Sequence, residues 1–209
     1  MKIIVVRHGE SEGNISGLAH GGEMSQSGLT VLGREQAAKL ASKLNDVRID
    51  RAFVSPLDRT RQTAEIILAN HPDTKVEFAD QLKEKSVGEF AGRPVAEMHV
   101  AWQASGLPFG EFKPAGGESW YQAGERVVGF VEEIISQYKK DSDSTILIVG
   151  HGSIFTYLLM WADKFDPRDN DKEKYDYYHP ANTAVGIIEV DAEGNPVLVS
   201  FNDTKHLEC

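Results

Sequence analysis

Two histidines and two arginines stand in settings suited to chemistry on a phosphate. His8 lies in Arg7-His8-Gly9-Glu10, directly after the apolar run Ile3-Ile4-Val5-Val6. His151 lies in Gly150-His151-Gly152, directly after Ile146-Leu147-Ile148-Val149. A third run, Ala52-Phe53-Val54, leads into Ser55-Pro56-Leu57-Asp58-Arg59-Thr60-Arg61, which reads as a turn opening a helix with Arg59 in its first turn. Guanidinium groups present planar, paired donors that match phosphate oxygens, and a helix N-terminus adds free N–H groups and a favourable dipole. Glycine beside each histidine lets backbone or ligand come close.

These residues can meet only if the elements before them are neighbours. Short, continuously apolar or β-branched runs read as strands buried on both faces, the pattern of a central parallel sheet. In such sheets ligands bind beyond the carboxyl ends of the strands, so Arg7, His8, Arg59 and His151 are expected at one edge. Helical spacing links Leu32, Gln36, Leu40 and Leu44, and again Ala64, Ile67 and Leu68. Ser119-Trp120-Tyr121-Gln122 matches a capping box, followed by Ala123, Val127, Val131, Ile134 and Tyr138 at helical spacing. A further helix is expected after Gly152, turning Ile154, Phe155, Leu158 and Leu159 inward. Thr183 to Val190 and Val197 to Phe201 flank a turn-rich segment and read as a hairpin.

The alternation implies an α/β fold, a three-layer α/β/α sandwich with a mostly parallel central sheet and a small inserted lid. The expected organisation is one domain over 1–209, because 209 residues suit one well-buried unit. The lid is placed at about 92–117, rich in glycine and proline and partly irregular, and 163–182 reads as a solvated loop able to border a site.

With 41% hydrophobic and 26% charged residues the composition is that of a globular chain. A net charge of -10 argues against nucleic acid or an anionic membrane as partner, since attraction to phosphate polymers needs a basic face. The single cysteine, Cys209, permits no intrachain disulfide and fits a reducing compartment. No apolar run near the start suffices for a signal-peptide core or a membrane span, so cytoplasmic residence is expected.

The ordered motifs resemble the histidine phosphatase superfamily, also called the phosphoglycerate mutase-like family. They are Arg7-His8-Gly9-Glu10-Ser11 with Asn14, Leu29-Thr30 followed by Gly33-Arg34-Glu35-Gln36-Ala37, and Ser55 through Ala64. Leu82-Lys83-Glu84 before Gly88 and Gly92, then Gly116-Gly117-Glu118-Ser119 and Gly150-His151-Gly152, complete the set. The resemblance implies that His8 is a nucleophile forming a phosphohistidine. It implies that Arg7, Arg59 and His151 hold the transferring phosphoryl group, with Asn14 and Gly152 in substrate binding, and that Glu84 gives a proton to the leaving oxygen. The chemistry agrees: a neutral imidazole divides one displacement into two, and clustered donors stabilise the equatorial oxygens.

The implied activity is phosphomonoester hydrolysis on a small phosphorylated metabolite, with no cofactor and no metal, there being no His-Glu-x-x-His or paired-cysteine motif. Two alternatives are a phosphoglycerate mutase-type isomerase and a slow phosphatase serving as a phosphoprotein-binding regulatory module, the latter suggested by the acidic, Tyr-rich 163–182. Glu84-Lys85-Ser86-Val87 in place of the mutases' Glu-Arg-His-Tyr block, a short insert and a short tail favour water as acceptor. Lys83, Lys85 and Arg61 either meet a second anionic group or face solvent. His20, His71, His99, His179 and His206 are read as structural or surface residues, Trp102 and Trp120 as packing residues, and Asn182 as support for the phosphate site.

Overall fold

The computed structural model describes residues 1–24, 26–141, 143–169 and 172–208; Cys209 lies outside them. Six strands form one sheet in the order β3-β2-β4-β1-β5-β6: β1 (Lys2–Arg7), β2 (Arg51–Val54), β3 (Lys75–Phe78), β4 (Thr145–Gly150), β5 (Val185–Val190) and β6 (Pro196–Asp203). The first four are mutually parallel, whereas β5 runs antiparallel to both β1 and β6.

Alternation along the central strands builds the layers, because successive side chains point to opposite faces. Ile3, Val5, Phe53, Ile146 and Ile148 pack with α5 (Trp120–Tyr138) and α6 (Gly152–Ala162) on one face. Ile4, Val6, Ala52, Val54, Leu147 and Val149 pack with α2 (Val31–Leu44) and α3 (Asp58–Leu68) on the other. The result is the expected α/β/α sandwich. The β5–β6 hairpin and the Ser119 capping box are also present, with Ser119 Oγ accepting from Gln122 N at 3.1 Å.

Three expectations need correction. Strand β3 carries no buried residue, so the apolar signal that exposes the other strands is missing from it. The 92–117 lid is more regular than expected, holding α4 (Val95–Ser105) with Gly106 in the left-handed region at its end. Within 163–182 the chain forms a 3-10 turn at Pro167–Asp169 and α7 (Lys172–Tyr178) rather than a plain loop. Among the described residues no helix is long and apolar enough to cross a membrane.

Helix α2 also differs in detail. Its buried face is Gly33, Ala37, Leu40, Ala41 and Leu44, and Leu32 is half exposed. The cause is close backbone contact: a Cβ on Gly33 would lie 1.9 Å from the Glu10 carbonyl oxygen, so this is the helix face turned to the loop after His8. Thr30 Oγ1 accepts from Gly33 N at 3.0 Å and donates to Glu10 Oε1 at 2.8 Å, while Glu10 N donates to Gln36 Oε1 at 2.8 Å.

Alanine is intrinsically better than glycine in a helix by about 1 kcal/mol, so an unobstructed Gly33→Ala would raise stability. Here the added methyl meets rigid backbone, and overpacking of this kind costs about 1–3 kcal/mol. We expect the melting temperature to fall by several degrees, at roughly 2–4 °C per kcal/mol for a chain of this size. A rise on calorimetry would contradict the contact.

Candidate active site

Register decides who meets whom. Arg7 pairs with Gly150, and Val54 with Val149, so His8, His151 and Ser55 leave the sheet as neighbours. The ladder continues one step past the strands, with His8 N donating to Gly150 O at 3.1 Å and Ser55 N to Val149 O at 3.0 Å. The His8 and His151 rings meet edge to face with centroids 5.2 Å apart, and both are buried.

His8 Nδ1 lies 2.7 Å from Gly9 O. A carbonyl only accepts, so Nδ1 carries the proton and Nε2 keeps the lone pair. Burial first, then Arg59 and Arg7, hold the His8 pKa well below the usual imidazole range, against an opposing pull from Gly9 O. His151 is depressed likewise by burial, then by Arg59, His8 and Arg7. Its Nε2 pairs with Ser55 Oγ at 2.8 Å, and its buried Nδ1 has no partner among the described residues, a condition shared by Arg7 Nε.

Arg7 Nη1 donates to Pro180 O at 2.6 Å and approaches His179 Nε2 at 3.4 Å. His179 Nδ1 lies 3.0 Å from Thr156 Oγ1, whose hydroxyl donates to Gly152 O. His179 is thereby an acceptor toward Arg7, and burial, then Arg7, lower its pKa to about 4. Gly152 has to be glycine here, since a Cβ would sit 2.7 Å from the His179 ring. Arg59 is buried, its Nη1 donating to Met24 O at 3.4 Å. Burial lowers the pKa of both guanidinium groups, and Glu84 opposes this in each. Thr63 joins the two loops, its Oγ1 accepting from Gly9 N at 3.1 Å and donating to Arg59 O at 2.7 Å.

Asn14 Oδ1 accepts from Ser11 N at 3.1 Å and from Asn182 Nδ2 at 3.2 Å. Asn182 Nδ2 also donates to His8 O at 3.0 Å. Glu84 Oε1 accepts from Lys85 N at 2.7 Å and from Ser153 Oγ, and Oε2 from Ser153 N at 3.4 Å. Its loop is clamped from below. Arg126 makes a paired contact with Glu118 at 2.9 and 2.8 Å and donates to Gln81 O and Lys83 O, while Glu118 Oε2 accepts from Ser86 N at 3.0 Å.

The structure thus gathers His8, Arg7, Arg59, His151, Asn14, Gly152 and Glu84 at one sheet edge. Four neighbours escaped the sequence reading. Ser55 and Ser153 were within reach of the strand-end rule, since Ser55 directly follows β2 and Ser153 lies in the first turn of α6, which begins just after β4. His179 and Tyr175 carry no local signal; they come from α7 and the turn after it, where Tyr175 stacks on His179 at 5.3 Å. His179 is thus a structural residue that supports Arg7. His20 and His99 line a cavity beside Glu84, together with Trp102 and Trp120, and Trp120 is also buried in the core. His71 lies apart, and His206 supports Thr183 through a 3.1 Å contact. Lys83 pairs with Asp80 at 3.0 Å and Arg61 lies over the Phe78 ring, both turned from the site. Among the described residues no three of His, Cys, Asp and Glu group as a metal-binding cluster.

Residues 3–204 match the family model described as the histidine phosphatase superfamily, branch 1. The chain is 33% identical to a probable fructose-2,6-bisphosphatase TIGAR A of Danio rerio over 69% of its own length, and spans 57% of that protein. It is 32% identical to a 2,3-bisphosphoglycerate-dependent phosphoglycerate mutase of Cytophaga hutchinsonii, over 80% of this chain and 79% of the mutase. Its fold matches the α-ribazole phosphatase of Shigella flexneri with a TM-score of 0.81 at 25% identity, over 98% of this chain and 97% of the other. With the matching model covering nearly every residue and the motif-bearing loops converging on one sheet edge, the chain belongs to the histidine phosphatase superfamily.

Proposed function

We propose that this chain is a phosphomonoester hydrolase that passes the phosphoryl group of a small phosphorylated metabolite through His8. The observation that carries the reading is the His8 tautomer: Nδ1–H bound to Gly9 O leaves a lone pair on Nε2, in a ring kept neutral by burial and two arginines. Nε2 attacks phosphorus and the ester P–O bond breaks, while the carboxyl group of Glu84 gives its proton to the leaving oxygen. Water then attacks the phosphohistidine, Glu84 takes a proton from it, and the P–N bond breaks to return neutral His8 and phosphate. Arg7, Arg59 and His151, with Asn14 and the Gly152 backbone, surround the equatorial oxygens, the task that metal ions perform in other phosphoryl-transfer sites. The unpartnered Arg7 Nε is suited to an oxyanion, and so is His151 Nδ1 in the tautomer in which the Ser55 hydroxyl donates to Nε2.

A reaction without metal or cofactor, in one domain with the 92–117 lid, and cytoplasmic residence belong to this reading; the acidic charge and single cysteine support the last. A second reading, transfer to another hydroxyl, draws on the likeness to the Cytophaga mutase. Glu84-Lys85-Ser86-Val87, in place of the mutases' Glu-Arg-His-Tyr, speaks for water.

His8→Ala should lower turnover of an aryl phosphate in the presence of a chelator by roughly a thousandfold or more. Mass spectrometry after alkaline quenching should find the phosphate on His8 in the wild type; robust turnover by the variant would overturn the nucleophile. Glu84→Gln should slow an alkyl phosphate by roughly 10²–10⁴ and a 4-nitrophenyl ester far less, because a good leaving group needs no proton. Equal losses on both esters would remove Glu84 from the acid role.

The pH behaviour follows from sign. A depressed imidazole pKa leaves His8 neutral from ordinary pH down to well below 6.5, and removing a positive neighbour must raise that pKa. NMR titration of Arg59→Met should therefore show His8 protonating at higher pH than in the wild type. An unchanged or lower midpoint would refute the electrostatic origin.

A further inference from the structure

Beside Glu84 and Ser153 opens a cavity of about 540 Å³, a size typical of small-molecule sites. Its apolar wall combines Val95, Met98 and Trp102 of the lid helix α4, Phe109 just beyond it, Trp120 at the start of α5, and Tyr175 of α7. The rings brace one another. Phe109 lies 5.5 Å from Trp102, 5.9 Å from Trp120 and 5.1 Å from Tyr175, and Trp120 lies 5.3 Å from Tyr175. The cavity also touches the reaction centre directly: Trp120 Nε1 donates to Ser153 O at 2.8 Å, and Tyr175 stacks on the His179 that meets Arg7.

Charge narrows what fits. Lys85 is the one lysine or arginine among the lining residues, and Glu84 and Asp176 line the same space. Burial lowers the pKa of Lys85, and Glu84, Glu118 and Glu23 oppose this, so the groups around this ammonium are carboxylates. Burial lowers the pKa of His20, with Arg59 adding to the effect, which keeps that ring neutral. His99 lies edge-on to Trp102 at 5.0 Å. Lys83 is paired with Asp80 and Arg61 lies over the Phe78 ring, and neither lines the cavity. A second phosphate or a carboxylate on the substrate would thus enter a largely apolar space whose one lysine is accompanied by two carboxylates, at a large desolvation cost.

We propose that this cavity receives the alcohol half of the substrate, and that this alcohol is uncharged and aromatic or similarly bulky and apolar. The proposal rests on the hydrolase reading above and sets the chain apart from enzymes built for bisphosphates or phosphorylated acids. The lid helix supplies Val95, Met98 and Trp102 to the apolar wall, so α4 selects the leaving group while the sheet edge holds the phosphate.

The test compares kcat/KM for 3-phenylpropyl phosphate, propyl phosphate and 3-phosphoglycerate, the first two having alcohols of closely similar acidity. Burial of a phenyl group should favour phenylpropyl over propyl phosphate by roughly 10- to 100-fold, with phosphoglycerate no better than propyl phosphate. Trp102→Ala, and independently Met98→Asp, should bring the phenylpropyl-to-propyl ratio down at least about fivefold, mainly through KM. Preference for phosphoglycerate, or a ratio unmoved by both variants, would overturn the proposal. Failure to hydrolyse all three esters would instead strike the hydrolase reading; the ratio of calorimetric Kd values for the same two alkyl esters would then decide the cavity's preference, a ratio near one overturning it.

Discussion

The parallel register of β1 against β4, and of β4 against β2, is the constraint on which the rest depends. It aligns Arg7 with Gly150 and Val54 with Val149, and the residues one step beyond inherit the alignment. Two histidines distant in sequence become ring neighbours because their strands run in the same direction and end at the same height. In an antiparallel arrangement the two loops would leave from opposite edges of the sheet. The register in turn depends on the two-faced burial of Ile3 to Val6 and Ile146 to Val149, since a slip of one residue would exchange every side chain between the two cores.

Packing Arg7, Arg59, His8 and His151 together in a buried place is electrostatically expensive, and the protein answers in two ways. It keeps the imidazoles neutral, as the direction of their pKa shifts shows, and it gives the guanidinium groups carbonyl partners in Pro180 and Met24. Among the described residues Arg7 Nε has no acceptor and His151 Nδ1 no partner. Buried donors without acceptors are costly, and an anion placed among them recovers that cost. The tautomer of the neutral His8 ring and the unpartnered groups beside it are thus consequences of the same packing.

Around this centre the supports are mostly backbone. Helix α2 presses its glycine face against the loop after His8, Thr63 ties that loop to α3, and the Arg126–Glu118 pair fixes the turn bearing Glu84 from outside. The sheet edge at His8 is therefore held by the sheet and its helices. The cavity beside Glu84 is walled in part by α4 and α7, and α7 also reaches the sheet edge, through Tyr175 on His179 and His179 on Arg7.

Sequence alone determined the parts governed by short-range period and by the strand-end rule. Continuous apolar runs marked the central strands, Ser119 and Gln122 marked the start of α5, and the loops after β1, β2 and β4 named His8, Arg59 and His151. Exposed β3 was invisible because an edge strand of this kind buries nothing that a pattern could register. Helix α7 lay in a polar, charged stretch read as loop, so His179 and Tyr175 could not be placed, and Trp102 and Trp120 looked like ordinary packing. Tertiary structure decided these, along with the hydrogen bond to Gly9 that sets the His8 tautomer and the closing of α4 over Glu84. Burial leaves a periodic trace along the chain, whereas the meeting of two distant side chains depends on how whole elements pack and leaves none.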